Sequence, residues 1–287
     1  MPELPEVETI RRYLEETLPG QEILAVPLLD GRLVKGSALD AHTIAARLVG
    51  ERFVQVKRRG KFLFFELTSG AMILCHLGMS GRLLLVSSEA SAVKHTHVRL
   101  ILTAGELRLV DPRRFGRIAW LPPGETGPRL GVEPLSRAFG TRSLKTLVAG
   151  RRASIKQILL DQQLIAGLGN IYADEALFLA RIHPLTPAGD LSDEEAARLV
   201  RAIKRVLRVS LSHRGTSFSD YVDALGRPGD NQRYLAVYGR EGETCMRCRQ
   251  GIIQRERIGG RSSHVCPVCQ PLPAHLTRER GEARAEI

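Results

Sequence analysis

The chain has 287 residues, 43% hydrophobic and 25% charged, which is enough for one large or two medium domains of ordinary globular composition. Its 42 Lys and Arg against 31 Asp and Glu give a formal charge of +11, which favours a polyanionic partner, although a solvated surface can carry the same excess. No apolar run approaches the roughly 18 residues of a membrane span. The acidic start MPELPEVETI lacks the features of a secretory signal, so a cytoplasmic protein without membrane contact is expected.

Pro5 suits the first turn of a helix, with Glu6 and Glu8 beside its positive end. Val7, Ile10, Leu14 and Leu18 repeat at helical spacing until Pro19-Gly20 ends the helix. Residues from about 22 to 120 read as short strands. Segments 52–56 and 62–67 flank a turn at 58–60, 72–77 and 82–86 flank Gly78–Gly81, and 98–103 and 107–111 flank Ala104-Gly105. Strands at this spacing predict an antiparallel sandwich or barrel.

A Pro- and Gly-rich stretch from Leu121 to Pro134 marks a linker. Helical spacing follows at 143–149, 155–161, 171–180 and 193–212, with Ser192 and Glu195 forming a capping box. Residues 213–240 read as irregular and the polar end of the chain as disordered. The expected organisation is a multidomain α+β protein with four parts. These are an antiparallel β-sandwich carrying the first helix (1–125), a helical domain (135–236), a cysteine module (237–271) and a tail (272–287).

Cys245-x2-Cys248 and Cys266-x2-Cys269 can each wrap one face of a tetrahedral ion, and the segments between them can pair across Gly259-Gly260. That makes a small zinc-finger hairpin holding one structural Zn2+. Cys75, in an apolar strand, reads as a core thiol. The arginines of the finger, Arg247, Arg249, Arg255, Arg257 and Arg261, suit a nucleic-acid surface or a solvated face.

Pro2 is chemically notable. Removal of Met1 would leave a secondary amine, of which roughly a tenth is neutral at pH 7, against well under roughly a thousandth of a lysine. Attack of such an amine on an aldehyde-level carbon gives an iminium that is cationic without further protonation and favours elimination next to it. The same residues can also serve simply to start a helix.

Six segments occur in one order: MPELPEVE at the start, HLGMSGRL (76–83), DPRRFG (111–116), GLGNIYADEALF (167–178), VYGREGETC (237–245) and the closing CPVCQ. Over residues 1–270 they resemble bacterial formamidopyrimidine-DNA glycosylases of the Fpg/Nei family, repair enzymes for 8-oxoguanine and ring-opened purines. The resemblance implies a β-sandwich whose first helix bears the nucleophile, a helix–two-turn–helix domain ending in the four-cysteine finger, and damaged double-stranded DNA in the cleft between domains, bound by a monomer at the nucleoid. It implies excision through a Schiff base on Pro2, with Glu3 as general acid, Glu6 orienting groups at the ribose, Lys61 reaching a phosphate or leaving group, and Arg261 serving δ-elimination. Met79, Arg113 and Phe115 would fill the void left by the flipped base, although Met79 or Phe115 alone would suit core packing. His95, Arg151, Lys156 and Asn170 would contact phosphates, Asn170 at a helix start that favours anions.

Thr96 stands where the family commonly has Asp, and Asn231-Gln232 where Phe-Gln is common. Two other readings fit parts of the sequence: an endonuclease VIII-like glycosylase for oxidised pyrimidines, and a non-catalytic zinc-finger DNA-binding protein. Leu4 and the Met79, Arg113 and Phe115 set argue against the first of these.

Overall fold

The computed structural model describes residues 2–276, so the expected tail lies outside the described residues from 277 onward. The first helix, α1, runs Leu4–Thr17. Val7, Ile10, Leu14 and Leu18 are all fully buried, as their spacing requires.

Eight strands follow in two four-stranded antiparallel sheets. One is ordered β1 (Ile23–Leu29), β6 (Thr96–Leu102), β7 (Gly105–Val110), β5 (Arg82–Val86). The other is ordered β2 (Phe53–Arg59), β3 (Phe62–Leu67), β4 (Met72–His76), β8 (Arg117–Leu121). Registers such as Leu63↔Cys75↔Ile118 and Leu83↔Leu109↔Val98 bring alternate apolar residues of both sheets into one core. Cys75 is buried there, and burial, with Asp111 nearby, pushes its thiol up to about 12, so it is a core thiol.

Strands β4 and β5 flank Gly78–Gly81 as expected; they belong to different sheets, and the glycine-bounded segment carries the chain between them. One expectation needs correction: residues 41–48 are a helix, α2 (Ala41–Leu48), where strands were expected. Asp40 caps it by accepting from Thr43 N at 2.7 Å, and Ile44 and Leu48 are its buried face.

The described residues divide into two compact units, 2–129 with 209–233, and 130–208 with 234–276. The first division falls inside the Pro- and Gly-rich stretch. Residues 209–233 group with the sandwich because Tyr221 and Ala224 join its apolar core and Ala224 O accepts from Leu85 N at 2.9 Å.

The second unit contains α3 (Thr141–Val148), α4 (Ile155–Leu160), α5 (Asn170–Ala180) and most of α6 (Asp193–Ser212). The predicted box closes α6, with Ser192 N donating to Glu195 Oε2 at 2.9 Å and Glu195 N to Ser192 Oγ at 3.1 Å. Gln162 organises the link from α4 to α5. Its Nε2 donates to the Leu160 and Leu168 carbonyls and its Oε1 accepts from Gly167 N. Nearly every α5 residue is buried, which explains an apolar sequence without a polar face. The finger hairpin pairs β9 (Gln254–Ile258) with β10 (Arg261–Val265).

Candidate active site

Pro2 directly precedes the N-cap of α1. The cap is Glu3, which forms a reciprocal box with Glu6: Glu6 Oε2 accepts from Glu3 N at 2.8 Å, and the Glu3 side chain accepts from the Glu6 backbone. Both carboxylates are buried, at 2% and 1% exposure, and so are held in one geometry around the residue that precedes them.

The other oxygen of Glu6 accepts from Thr216 N at 2.7 Å, which anchors the loop after α6 to the start of α1. Gly215 makes this approach possible. Its φ of +84° favours glycine, and a Cβ there would lie 2.8 Å from Glu6 Oε1. Asn231 fastens the far end of the loop, its Nδ2 donating to Thr216 Oγ1 at 2.8 Å while it lies buried. The departure from Phe-Gln at 231–232 therefore supplies a hydrogen bond at this position.

Lys61 sits buried in the tight turn between β2 and β3. Arg58 ties that turn to α1, donating to Glu8 Oε2 at 2.9 Å and to the Gly60 carbonyl at 2.8 Å. His76, which sequence reasoning passed over although it stands in the quoted HLGMSG motif, lies across from Phe62 in the sheet, ring to ring at 4.7 Å. Burial, with the charges of Lys61 and Arg117, lowers its imidazole to about 4, so it is neutral at pH 7. Its Nδ1 accepts from Gly78 N at 3.1 Å, which leaves the hydrogen on Nε2 as a donor.

Met79, Arg113 and Phe115 are exposed at the sandwich edge, Met79 by 41% and Phe115 by 53%, so neither apolar side chain is core. Arg113 forms a 2.9 Å ion pair with Asp220. His95 is exposed with a left-handed backbone (φ 65°), and its carbonyl accepts from Asp111 N.

In the second unit, Lys156, Asn170 and the residue after Arg261 meet. Lys156 is fully buried, its Nζ donating to Asp174 Oδ1 at 2.6 Å, to the Ser262 carbonyl at 2.7 Å and to Ser263 Oγ. This corrects the expectation of a phosphate contact, since an ammonium at 0% exposure with three partners has no face for a phosphate. Lys156 instead holds the finger hairpin. Asp174, inside GLGNIYADEALF, accepts from His264 N at 2.9 Å and completes the link, and sequence offered no signal for that pairing.

Lys156→Met is expected to destabilise the protein by about 3–5 kcal/mol, because it leaves a buried carboxylate uncompensated. Denaturant unfolding checks this. Unchanged stability with weakened, less salt-sensitive DNA binding would restore the phosphate reading.

Asn170 donates through Nδ2 to the Ser262 carbonyl at 2.9 Å, and its buried Oδ1 has no partner among the described residues. Its amide N–H is thus directed at the finger rather than outward. Arg151 is exposed, with Nε on the Leu147 carbonyl at 2.7 Å. Arg261 is exposed at the start of β10, just after the Gly259-Gly260 turn. Arg247 is not part of an open basic face: it stacks 4.1 Å over Phe178 and donates to the Phe178 carbonyl.

The sulfurs of Cys245, Cys248, Cys266 and Cys269 lie within 4.8 Å of one another. The Cys245–Cys269 and Cys248–Cys266 separations are 3.8 and 3.7 Å. Zn–S bonds of about 2.3 Å in a tetrahedron put sulfurs about 3.8 Å apart, so the four residues fit that ion. Gly251 N and Cys269 N point at the sulfurs of Cys248 and Cys266, stabilising thiolates from the backbone side.

Comparison with known proteins finds matches along most of the chain. The profile of the formamidopyrimidine-DNA glycosylase N-terminal domain matches residues 1–118, that of the glycosylase H2TH domain 130–222, and that of the zinc finger found in FPG and IleRS 242–272. The chain is 45% identical over 279 residues to a formamidopyrimidine-DNA glycosylase of Herpetosiphon aurantiacus, spanning 94% of this chain and 100% of that one. To its namesake in Moorella thermoacetica it is 48% identical over 258 residues, 88% of this chain and 93% of that one.

Among solved structures, the MutM (FPG) protein of Thermus thermophilus superposes with a TM-score of 0.84 at 41% identity, covering 95% of this chain and 100% of that one. Wild-type FPG of Lactococcus lactis, in complex with DNA containing an oxidised pyrimidine, gives 0.87 at 35% identity over 94% of this chain and 100% of that one.

Proposed function

This chain belongs to the formamidopyrimidine-DNA glycosylase family and is a DNA glycosylase of base excision repair, and from that premise we propose that Pro2 is its nucleophile and oxidised purines its main substrates. AP lyase activity is characteristic of the family.

The Pro2 lone pair bonds to C1′ as the bond to the damaged base breaks, and the Pro2 N–H proton passes to the departing base. Glu3 delivers a proton to the ring oxygen, the C1′–O4′ bond opens, and the nitrogen lone pair closes on C1′ to leave a cationic iminium. That cation withdraws electrons from C2′, so loss of a C2′ proton expels the 3′ phosphate, and a second elimination expels the 5′ phosphate. Glu6 holds Glu3 and the loop at Thr216 in place, and Lys61 presents a cation to a phosphate. Arg261 serves the second elimination from the tip of the finger hairpin. Met79, Arg113 and Phe115 fill the space of the extruded nucleotide, Arg113 after exchanging Asp220 for the unpaired base.

One zinc ion per chain, held by the four cysteines, would fix the hairpin. All four donors are protein thiolates, so it leaves no open position for substrate. No helix among the described residues is long and apolar enough to cross a membrane, and the substrate puts the work of a single chain at the nucleoid.

The observation that carries the reading is the buried Glu3–Glu6 box directly behind Pro2. Borohydride trapping on duplexes bearing 8-oxoguanine, formamidopyrimidine or thymine glycol tests it. A covalent adduct mapped to Pro2 is expected, with faster reaction on the purine lesions. Because a Lactococcus relative was solved with an oxidised-pyrimidine duplex, the thymine glycol arm is the informative one. Far faster cutting there than on both purine lesions would make this an oxidised-pyrimidine enzyme.

A further inference from the structure

We propose that Ser80 and Asp111 are positioning residues that lock the loops bearing Met79, His95, Arg113 and Phe115 into one preformed insertion unit. The proposal rests on the reading of Met79, Arg113 and Phe115 as void-filling side chains.

Asp111 follows β7 and is fully buried, and Ser80, between β4 and β5, is 2% exposed. Ser80 Oγ donates to Asp111 Oδ1 at 2.5 Å, and the same oxygen of Ser80 accepts from Arg113 N at 3.3 Å. The second carboxylate oxygen accepts from Gly116 N at 2.8 Å. The two side chains together therefore bond the loop of Met79 to both limbs of the loop holding Arg113 and Phe115.

The backbone of Asp111 brings in a third loop. Its N–H donates to the His95 carbonyl at 2.9 Å, and its carbonyl faces His97 Nε2 at 3.1 Å. Direct packing completes the joint. Gly78 has φ +62°, and a Cβ there would lie 2.4 Å from the Phe115 carbonyl carbon, so the two loop backbones touch.

A buried carboxylate is costly unless its hydrogen bonds are made, and no lysine or arginine among the described residues forms an ion pair with Asp111. Apolar residues would close the sandwich at lower cost. What the polar hub adds is shared geometry: its partners are the backbones of the loops that present Met79, Arg113 and Phe115, three exposed side chains. Side chains on independently moving loops would each lose freedom on entering the base stack, whereas a preformed unit has lost it already.

Ser80→Ala removes the hydrogen-bonded link between the loops while leaving Asp111 bonded to Gly116. Amide exchange at 78–81 and 111–116 is expected to accelerate in both loops together. Single-turnover excision of 8-oxoguanine opposite cytosine should fall about tenfold or more. Scission of an abasic site in a single strand, where there is no stack to invade, should stay within about twofold, because the start of α1 is untouched.

Unchanged exchange overturns the proposal, and so does an equal loss on both substrates. Faster exchange with undiminished duplex excision also overturns it. If Met79→Ala then leaves duplex excision intact as well, the fault lies in the void-filling reading. If Met79→Ala impairs duplex excision, the fault lies in the locking alone. Asp111→Asn, which turns one acceptor into a donor against Ser80 or Gly116, should exceed Ser80→Ala in both exchange and excision.

Discussion

Pro2→Gly is expected to lower strand scission at an abasic site, and the yield of borohydride-trapped adduct, by about a hundredfold or more, while binding to an uncleavable abasic analogue changes little. The reason lies in the nitrogen. Proline's secondary amine yields an iminium that carries its charge permanently, whereas glycine's primary amine yields an imine that must gain a proton before it withdraws electrons from C2′. Glycine also loosens the backbone immediately before the N-cap of α1, where the Glu3–Glu6 box fixes direction. The proposed phosphate contacts are made by other residues, so affinity should be spared. Scission on abasic DNA and anisotropy on the analogue, measured side by side, separate the two. Equal loss of both would mean that the variant has disturbed the fold, or that the bond to sugar is made by another group.

Much of this arrangement could be read in advance, and the reasons differ from place to place. The apolar stripe of α1, the Ser192–Glu195 box and the strands of the sandwich follow from local periodicity and capping, which sequence carries directly. The four cysteines were legible because metal ligands need fixed spacing. Lys156 was misjudged because its partners Asp174 and Ser262 are distant in sequence, and a lysine facing a buried carboxylate looks the same in sequence as one facing solvent. The same holds for Ser80 and Asp111, which sit inside quoted motifs yet act on each other from separate loops. Residues 209–233 grouped with the sandwich only once Tyr221 and Ala224 were seen in its core. The helix at 41–48 is a different failure: Asp40 and the spacing of Ile44 and Leu48 were present, but a run of strands on both sides masked them.

Cys248→Ser should abolish zinc binding and weaken DNA binding by about tenfold or more while leaving the unfolding of the sandwich in place. Apart from the bonds of Lys156, Asn170 and Asp174 to β10, the finger has little else to hold it. Its apolar cluster consists of Phe178, Val237 and Ile253 around two of the ligands themselves. Burial, reinforced by the neighbouring sulfurs, raises the Cys266 and Cys269 thiols, whereas the Gly251 and Gln250 amides lower Cys248 to about 6, so holding all four as thiolates together calls for a dication to offset their repulsion. With a serine at position 248 the fourth soft donor is gone, and about 10–16 kcal/mol of metal-binding energy is no longer available to fold the hairpin. Arg261 then loses the register that β9 and β10 impose, and the bonds from Lys156 and Asn170 to Ser262 lose their acceptor geometry. The δ-elimination product should therefore fall further than the β-elimination product, because Pro2 and Glu3 stand at the entry to α1 and do not depend on the finger. Metal analysis, anisotropy and gel separation of the two products decide the matter. Retained zinc with unchanged affinity and an unchanged product ratio would remove the finger from the mechanism.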